Sequence, residues 1–133
     1  MELKITRQIY TELLTHSRQA APLEACGYLA QRDGLVEQFY PLTNLDKSPE
    51  HFSMDPTEQF RVIKTIRNRR QKLRAVYHSH PETPARPSPE DIRLAADQHI
   101  SYLIVSLLDQ ERPVRSFRIR QGVVTEELLL LID

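Results

Sequence analysis

Two histidines one residue apart, His78 and His80, are followed by Ser88 and then Asp91. These residue types at this spacing suit metal-assisted hydrolysis. On an extended strand successive side chains alternate faces, so His78 and His80 point one way and Ser79 the other. Two imidazoles placed like that can chelate one ion. Asp91 falls in the first turn of an expected helix, and the intervening loop carries Pro81, Pro84 and Pro87. Stiffened by those prolines, the loop can fold the helix start back onto the strand end. Two histidines and a carboxylate leave one coordination position open, which marks a catalytic rather than a structural zinc site. The expected cofactor is therefore one zinc ion per chain. Such a metal lowers the pKa of bound water from about 15.7 to about 7 and polarises a carbonyl. Hydrolysis also needs a group that takes the water proton and hands it to the leaving amine. Glu24 is the candidate, because it precedes an apolar stretch expected to lie beside the histidine strand. Ser88 is the candidate hydrogen-bond donor to the oxyanion.

Each residue also has a plainer reading. A lone His-x-His pair is most often an ordinary strand feature. Ser88-Pro89-Glu90-Asp91 makes a good helix start, with Ser88 as cap and Asp91 favoured by the helix dipole. A loop glutamate such as Glu24 is usually solvated. Cys26 shares strand parity with Glu24, yet the common fate of a single cysteine is to be a small buried hydrophobe. His16, His51 and His99 have no partners at ligand spacing and are expected at the surface.

The elements that must position these groups follow from periodicity and caps. Ile5, Ile9 and Leu13 recur every four residues, which predicts a helix over residues 4–20, ended by Pro22. Ala25 to Ala30 and Leu35 to Leu42 flank Arg32-Asp33-Gly34, a hairpin signal. Residues 44–53 read as a polar loop. Asp55-Pro56-Thr57-Glu58 announces a second helix, with Asp55 as cap and Glu58 closing a capping box. Phe60, Ile63 and Ile66 would form its buried face. Leu73 to Tyr77 is a strand leading into the histidines. Ser88 starts the third helix. Residues 102–108, 114–120 and 123–131 are the last three strands. The order predicts an α/β protein of the α+β type, a mixed β-sheet covered by helices.

The whole chain sets limits on function. Its 133 residues suit one domain, 1–133, large enough to hold a core without disulfides. Lys plus Arg and Asp plus Glu both total 18. With no net charge, nucleic acid and membrane surfaces are not expected partners. Residues 61–74 carry seven basic side chains and no acidic one. Such a run is usually a solvated face, or it can attract an acidic protein. One cysteine, no apolar leader and no apolar run beyond five residues predict a soluble chain in a reducing, cytoplasmic compartment.

The pattern His78-x-His80-x7-Ser88-x2-Asp91, with an upstream glutamate in Pro22-Leu23-Glu24-Ala25-Cys26-Gly27, resembles the JAMM motif of the MPN+ domain. That family consists of zinc-dependent isopeptidases and deubiquitinase-like metalloproteases. The resemblance spans essentially the whole chain and implies a JAMM/MPN, cytidine-deaminase-like fold. It implies zinc ligation by His78, His80 and Asp91. Glu24 would be the general acid and base, and Ser88 would stabilise the tetrahedral intermediate. None of the five positions departs from the motif. The segments around Asn44 to Pro56 and Tyr77 to Pro81 resemble small bacterial members that act on ubiquitin-like sulfur-carrier proteins.

The expected activity is hydrolysis of the amide bond after the C-terminal Gly-Gly of such a carrier, releasing cysteine or trimming a longer tail. An exposed strand edge near the site would receive the carrier's tail. Two other readings stay open. A binding module could hold a ubiquitin-like partner without cutting it. Two histidines and a carboxylate also describe the facial triad of non-haem iron enzymes, although the expected jelly-roll strand pattern is missing. The identity of the carrier and the oligomeric state are not legible in the sequence.

Overall fold

The computed structural model describes residues 1–133. The elements run β1 (Glu2–Thr6), α1 (Arg7–Ala20), β2 (Cys26–Arg32), β3 (Leu35–Leu42), α2 (Pro56–Asn68), β4 (Lys72–His80), α3 (Pro89–Leu94), β5 (Ser101–Ser106), β6 (Val114–Arg120) and β7 (Val123–Ile132). The strands form one mixed sheet in the order β1-β3-β2-β4-β5-β6-β7, which closes into a barrel. The expected mixed sheet with helices is present. Its closure rests on β1, which the helical period had absorbed. Ile5 continues the spacing of Ile9 and Leu13, but Glu2–Thr6 alternates exposed and buried positions and pairs in parallel with β7. Helix α1 therefore starts at Arg7, where Thr6 caps it by accepting a hydrogen bond from the Ile9 N–H.

Leu3, Ile5, Leu29, Val36, Tyr77 and Leu103 of the sheet pack with Ile9 and Leu13 of α1 in the main core. Burying each such side chain contributes about 1.5–3 kcal/mol. On the other face of β2 and β4, Cys26, Tyr28, Leu42 and Met54 form a second cluster with Val62 and Ile63 of α2. Cys26 is thus the buried hydrophobe of the plainer reading. Its Sγ lies 3.5 Å from the Leu42 carbonyl oxygen, and burial pushes the thiol pKa up to about 12.

The start of α2 departs from the expected box. Asp55 caps the helix through the Thr57 N–H, but Glu58 turns away to accept from the Thr43 N–H (2.7 Å) and hydroxyl (2.9 Å). It clips the helix to the end of β3 instead. Phe60 is 73% exposed, so the packed face of α2 runs through Val62, Ile63 and Ile66 and excludes Phe60. His16 is not a bare surface residue either. Its Nδ1 lies 2.6 Å from the Tyr77 hydroxyl, and its ring meets Phe39 edge-on. No helix is long and apolar enough to cross a membrane.

Candidate metal centre

The histidines sit at the end of β4, between β2 and β5. Cys26 lies opposite His78 in the antiparallel β2–β4 ladder. The pairing continues one residue beyond β2, where the Ser79 N–H donates to the Ala25 carbonyl at 3.0 Å. One further step of the same register puts Glu24 opposite His80, on the face that carries both histidines. Ser79 points the other way, as strand parity requires, and its hydroxyl accepts from the Ala25 N–H at 2.7 Å. That bond ties the residue beside Glu24 to the residue between the histidines.

Asp91 arrives from α3. Ser88 caps this helix in a reciprocal box: its hydroxyl accepts from the Asp91 N–H at 3.0 Å, and Asp91 Oδ2 accepts from the Ser88 N–H at 2.9 Å. The helix start read in the sequence is therefore real, and it coexists with a second use of the same carboxylate. His78 Nε2 and His80 Nε2 lie 3.0 and 3.1 Å from Asp91 Oδ2, and 3.1 Å from each other. The three groups are the cluster in the chain that can hold a metal ion. Atoms carrying lone pairs or negative charge converge there, and protons or one cation must neutralise them. A single ion at the usual zinc–ligand distances of about 2.0–2.2 Å can meet all three.

The surroundings orient these side chains. His80 Nδ1 lies 2.8 Å from the Pro84 carbonyl oxygen, so its N–H donates there and leaves the Nε2 lone pair facing the cluster. The Phe52 ring stacks on His78 at 4.8 Å and 26°. Burial lowers the His78 pKa, against the pull of Asp91. Burial alone would raise the Asp91 carboxyl, but the hydrogen bonds to His78 and His80 carry it well below the usual carboxylate range.

Glu24 is 4% exposed, and its Oε1 has no hydrogen-bond partner. Burial pushes its pKa up to about 8, opposed by His80 and reinforced by Asp91, Glu90 and Glu50. A buried carboxyl beside three convergent side chains able to hold a metal ion, with an oxygen to spare, fits a site that takes a cation and a polar substrate. All five residues expected from the sequence therefore meet in one place. His51 and His99 are exposed and take no part.

A groove of about 400 Å³ runs from His78 and Asp91 along the outer face of the sheet. Tyr28, Met54, Val76, Tyr102 and Ile104 give it an apolar floor. The histidine strand itself has no free edge. The strand bearing the histidines is flanked by β2 and β5, which are paired in turn to β3 and β6. Strand addition to β4 itself is therefore blocked, whereas Glu37–Leu42 of β3 have no strand partner on the side away from β2.

Asn44 and Phe52, which the sequence did not single out for the site, lie in the loop over it. Their signal was the resemblance of the Asn44 to Pro56 segment to small bacterial members, which gave neither residue a role.

Comparison with known proteins gives a consistent set. A family model described as prokaryotic homologs of the JAB domain matches residues 6–120. The CysO-cysteine peptidase of Mycobacterium tuberculosis is 35% identical over 134 residues, covering 98% of this chain and 92% of that protein. A probable TtuB-protein conjugate cleaving protease of Thermus thermophilus is 33% identical over 131 residues, covering 98% of this chain and 82% of that protein. A solution structure of a Desulfitobacterium hafniense protein is 49% identical with a TM-score of 0.89, covering 100% of this chain and 94% of that one.

Proposed function

Because the chain belongs to the family of prokaryotic homologs of the JAB domain, we propose that it is a zinc-dependent peptidase that hydrolyses the amide bond after the C-terminal Gly-Gly of a ubiquitin-like sulfur-carrier protein. Relatives named for cleaving CysO-cysteine and TtuB conjugates support the substrate class. The observation that carries the reading is the convergence of His78, His80 and Asp91 at 3.0–3.1 Å, with the buried Glu24 carboxyl in register beside His80.

His78, His80 and Asp91 would hold one zinc ion, which supplies an acidified water and a polarised scissile carbonyl when bound. Glu24 takes the proton of the attacking water and returns it to the leaving nitrogen. Its pKa of about 8 lies near the working range of a group that must both accept and donate. Ser88 already accepts from the Asp91 N–H, so its own O–H is free to donate to the oxyanion of the tetrahedral intermediate. The apolar groove takes the extended tail that leads to the scissile bond.

Mass spectrometry of the zinc-loaded protein with candidate carriers, each extended past Gly-Gly by cysteine or by a longer peptide, tests this. The expected result is cleavage after the second glycine, abolished by a chelator. Intact carriers across the panel, with zinc bound, would reject the peptidase and favour a module that holds its partner without cutting.

A further inference from the structure

Glu24 lies just outside β2, so the sheet's own ladder does not hold it. Its backbone is tied instead to the loop that follows β3. The Glu24 N–H donates to the Ser48 carbonyl at 2.8 Å, and the Glu24 carbonyl accepts from Asn44 Nδ2 at 3.1 Å. In the β2–β3 register Cys26 faces Leu42. Two steps further, Asn44 stands across from Glu24, where its side chain does what a continued ladder would have done.

Asn44 is 9% exposed and uses its amide fully. Nδ2 also donates to the His51 carbonyl at 3.1 Å. Oδ1 accepts from the Asp46 N–H at 3.0 Å and the Ser53 N–H at 3.1 Å. Two carbonyls face the nitrogen and two N–H groups face the oxygen, so only one orientation of the amide satisfies the network. His51 and Ser53 flank Phe52, whose ring stacks on His78. One side chain therefore grips both the backbone of the proposed base and the segment that stacks on a proposed metal ligand.

We propose that Asn44 is a positioning residue that sets Glu24 and the Phe52 ring against the metal centre as one unit. This rests on the peptidase reading for its consequence in turnover, but not for its geometry. Asparagine is needed because an aspartate keeps the two acceptor bonds and turns a negative oxygen towards the Glu24 and His51 carbonyls. Alanine loses all four bonds.

Two arms test it. In the wild-type protein, amide hydrogen exchange of Glu24 and Ser53 should report one shared opening, with protection factors agreeing within about twofold, because the Ser48 carbonyl that holds the Glu24 N–H and the Ser53 N–H both belong to the loop that Asn44 folds. Independent opening of the two amides would overturn the proposal. In the zinc-loaded Asn44→Asp variant, kcat on a cleaved carrier should fall about tenfold or more with KM within about twofold, since a misplaced group costs rate rather than binding. Glu24 should lose protection in that variant, while the core amides of Leu103 and Val105 keep theirs. Unchanged kcat would overturn the proposal, as would a loss of protection spread over Leu103 and Val105. If the wild-type protein cleaves no carrier, the peptidase reading fails and the exchange arm alone decides the clamp.

Discussion

Glu24 and His16 are both partly or wholly withdrawn from water, and the burial has opposite uses. For Glu24 it lifts the carboxyl to about 8 beside the ligand cluster. Glu24→Gln keeps the shape and removes the proton exchange. The expected outcome is full zinc content with kcat lowered about 10²–10⁴-fold, read by metal analysis and turnover of the same sample. Activity within tenfold of wild type would remove Glu24 from the role of base. For His16, burial lowers the imidazole below its ordinary value of 6.5. The folded protein then resists a proton that the unfolded chain accepts. His16 thus contributes stability that is fully present above about pH 6.5 and is lost as the pH falls through that value. Urea unfolding at about pH 7.5 and about pH 5.5 should show a larger loss for wild type than for His16→Asn. Equal losses would mean that the His16–Tyr77 contact does not resist protonation. The convergence of His78, His80 and Asp91 was legible in the sequence because strand parity and a capped helix start are local rules that bring the three side chains together. Glu24 needed its flanking residues as well, since nothing local marks a loop glutamate as buried. Asn44 was not legible. In residues 44–53 many polar side chains could hydrogen-bond, and only the fold selects the one that stands opposite Glu24.

At the level of elements, the starts of α2 and α3 were read well, that of α1 was placed too early, and faces were read less well. Asp55-Pro56 and Ser88-Pro89 each cap a helix where expected, because capping depends on the backbone within one turn. Strand β1 escaped because five residues with apolar positions at Leu3 and Ile5 satisfy a strand period as well as a helical one. Phe60 was assigned to a buried face by hydrophobicity, but helix packing decides by angle: Val62 and Ile63 occupy the contact and Ile66 is buried. The β2–β3 contact provides a sharper test. A Cβ on Gly27 would come within 2.6 Å of the Tyr40 carbonyl oxygen and 2.8 Å of the Phe39 ring. The ring can shift, but the Tyr40 oxygen belongs to the neighbouring strand's backbone. Gly27→Ala should therefore destabilise the fold by about 1–3 kcal/mol, measured as a lower urea midpoint at unchanged m-value. Because Gly27 sits beside Cys26, which pairs with His78, the same change should weaken zinc retention. A midpoint equal to wild type would show that the two strands can part without cost.

For the molecule as a whole, the site draws on separated parts of the chain: the lead-in to β2, the end of β4 and the first turn of α3. A ligand that binds only this folded arrangement stabilises all of it. Adding a chelator to the zinc-loaded protein should lower its melting temperature, by an amount equivalent to about 2.7 kcal/mol when zinc had been at a hundred times its Kd. His78→Ala should melt at one temperature with or without the chelator. A wild-type protein indifferent to the chelator would argue against a metal at these residues. The closed barrel was the least legible feature, because it depends on pairing between strands more than a hundred residues apart. That pairing has a consequence for how the chain is made. β1 meets β3 at a single position, Ile5 with Val36, and meets β7 at five, from Glu2 with Leu128 to Thr6 with Ile132. On the ribosome β1 emerges more than a hundred residues before its main partner, since Glu2 pairs with Leu128. Leu3 and Ile5 must wait for all the intervening elements before the seam shuts over them, so during synthesis this strand stays exposed to wrong partners.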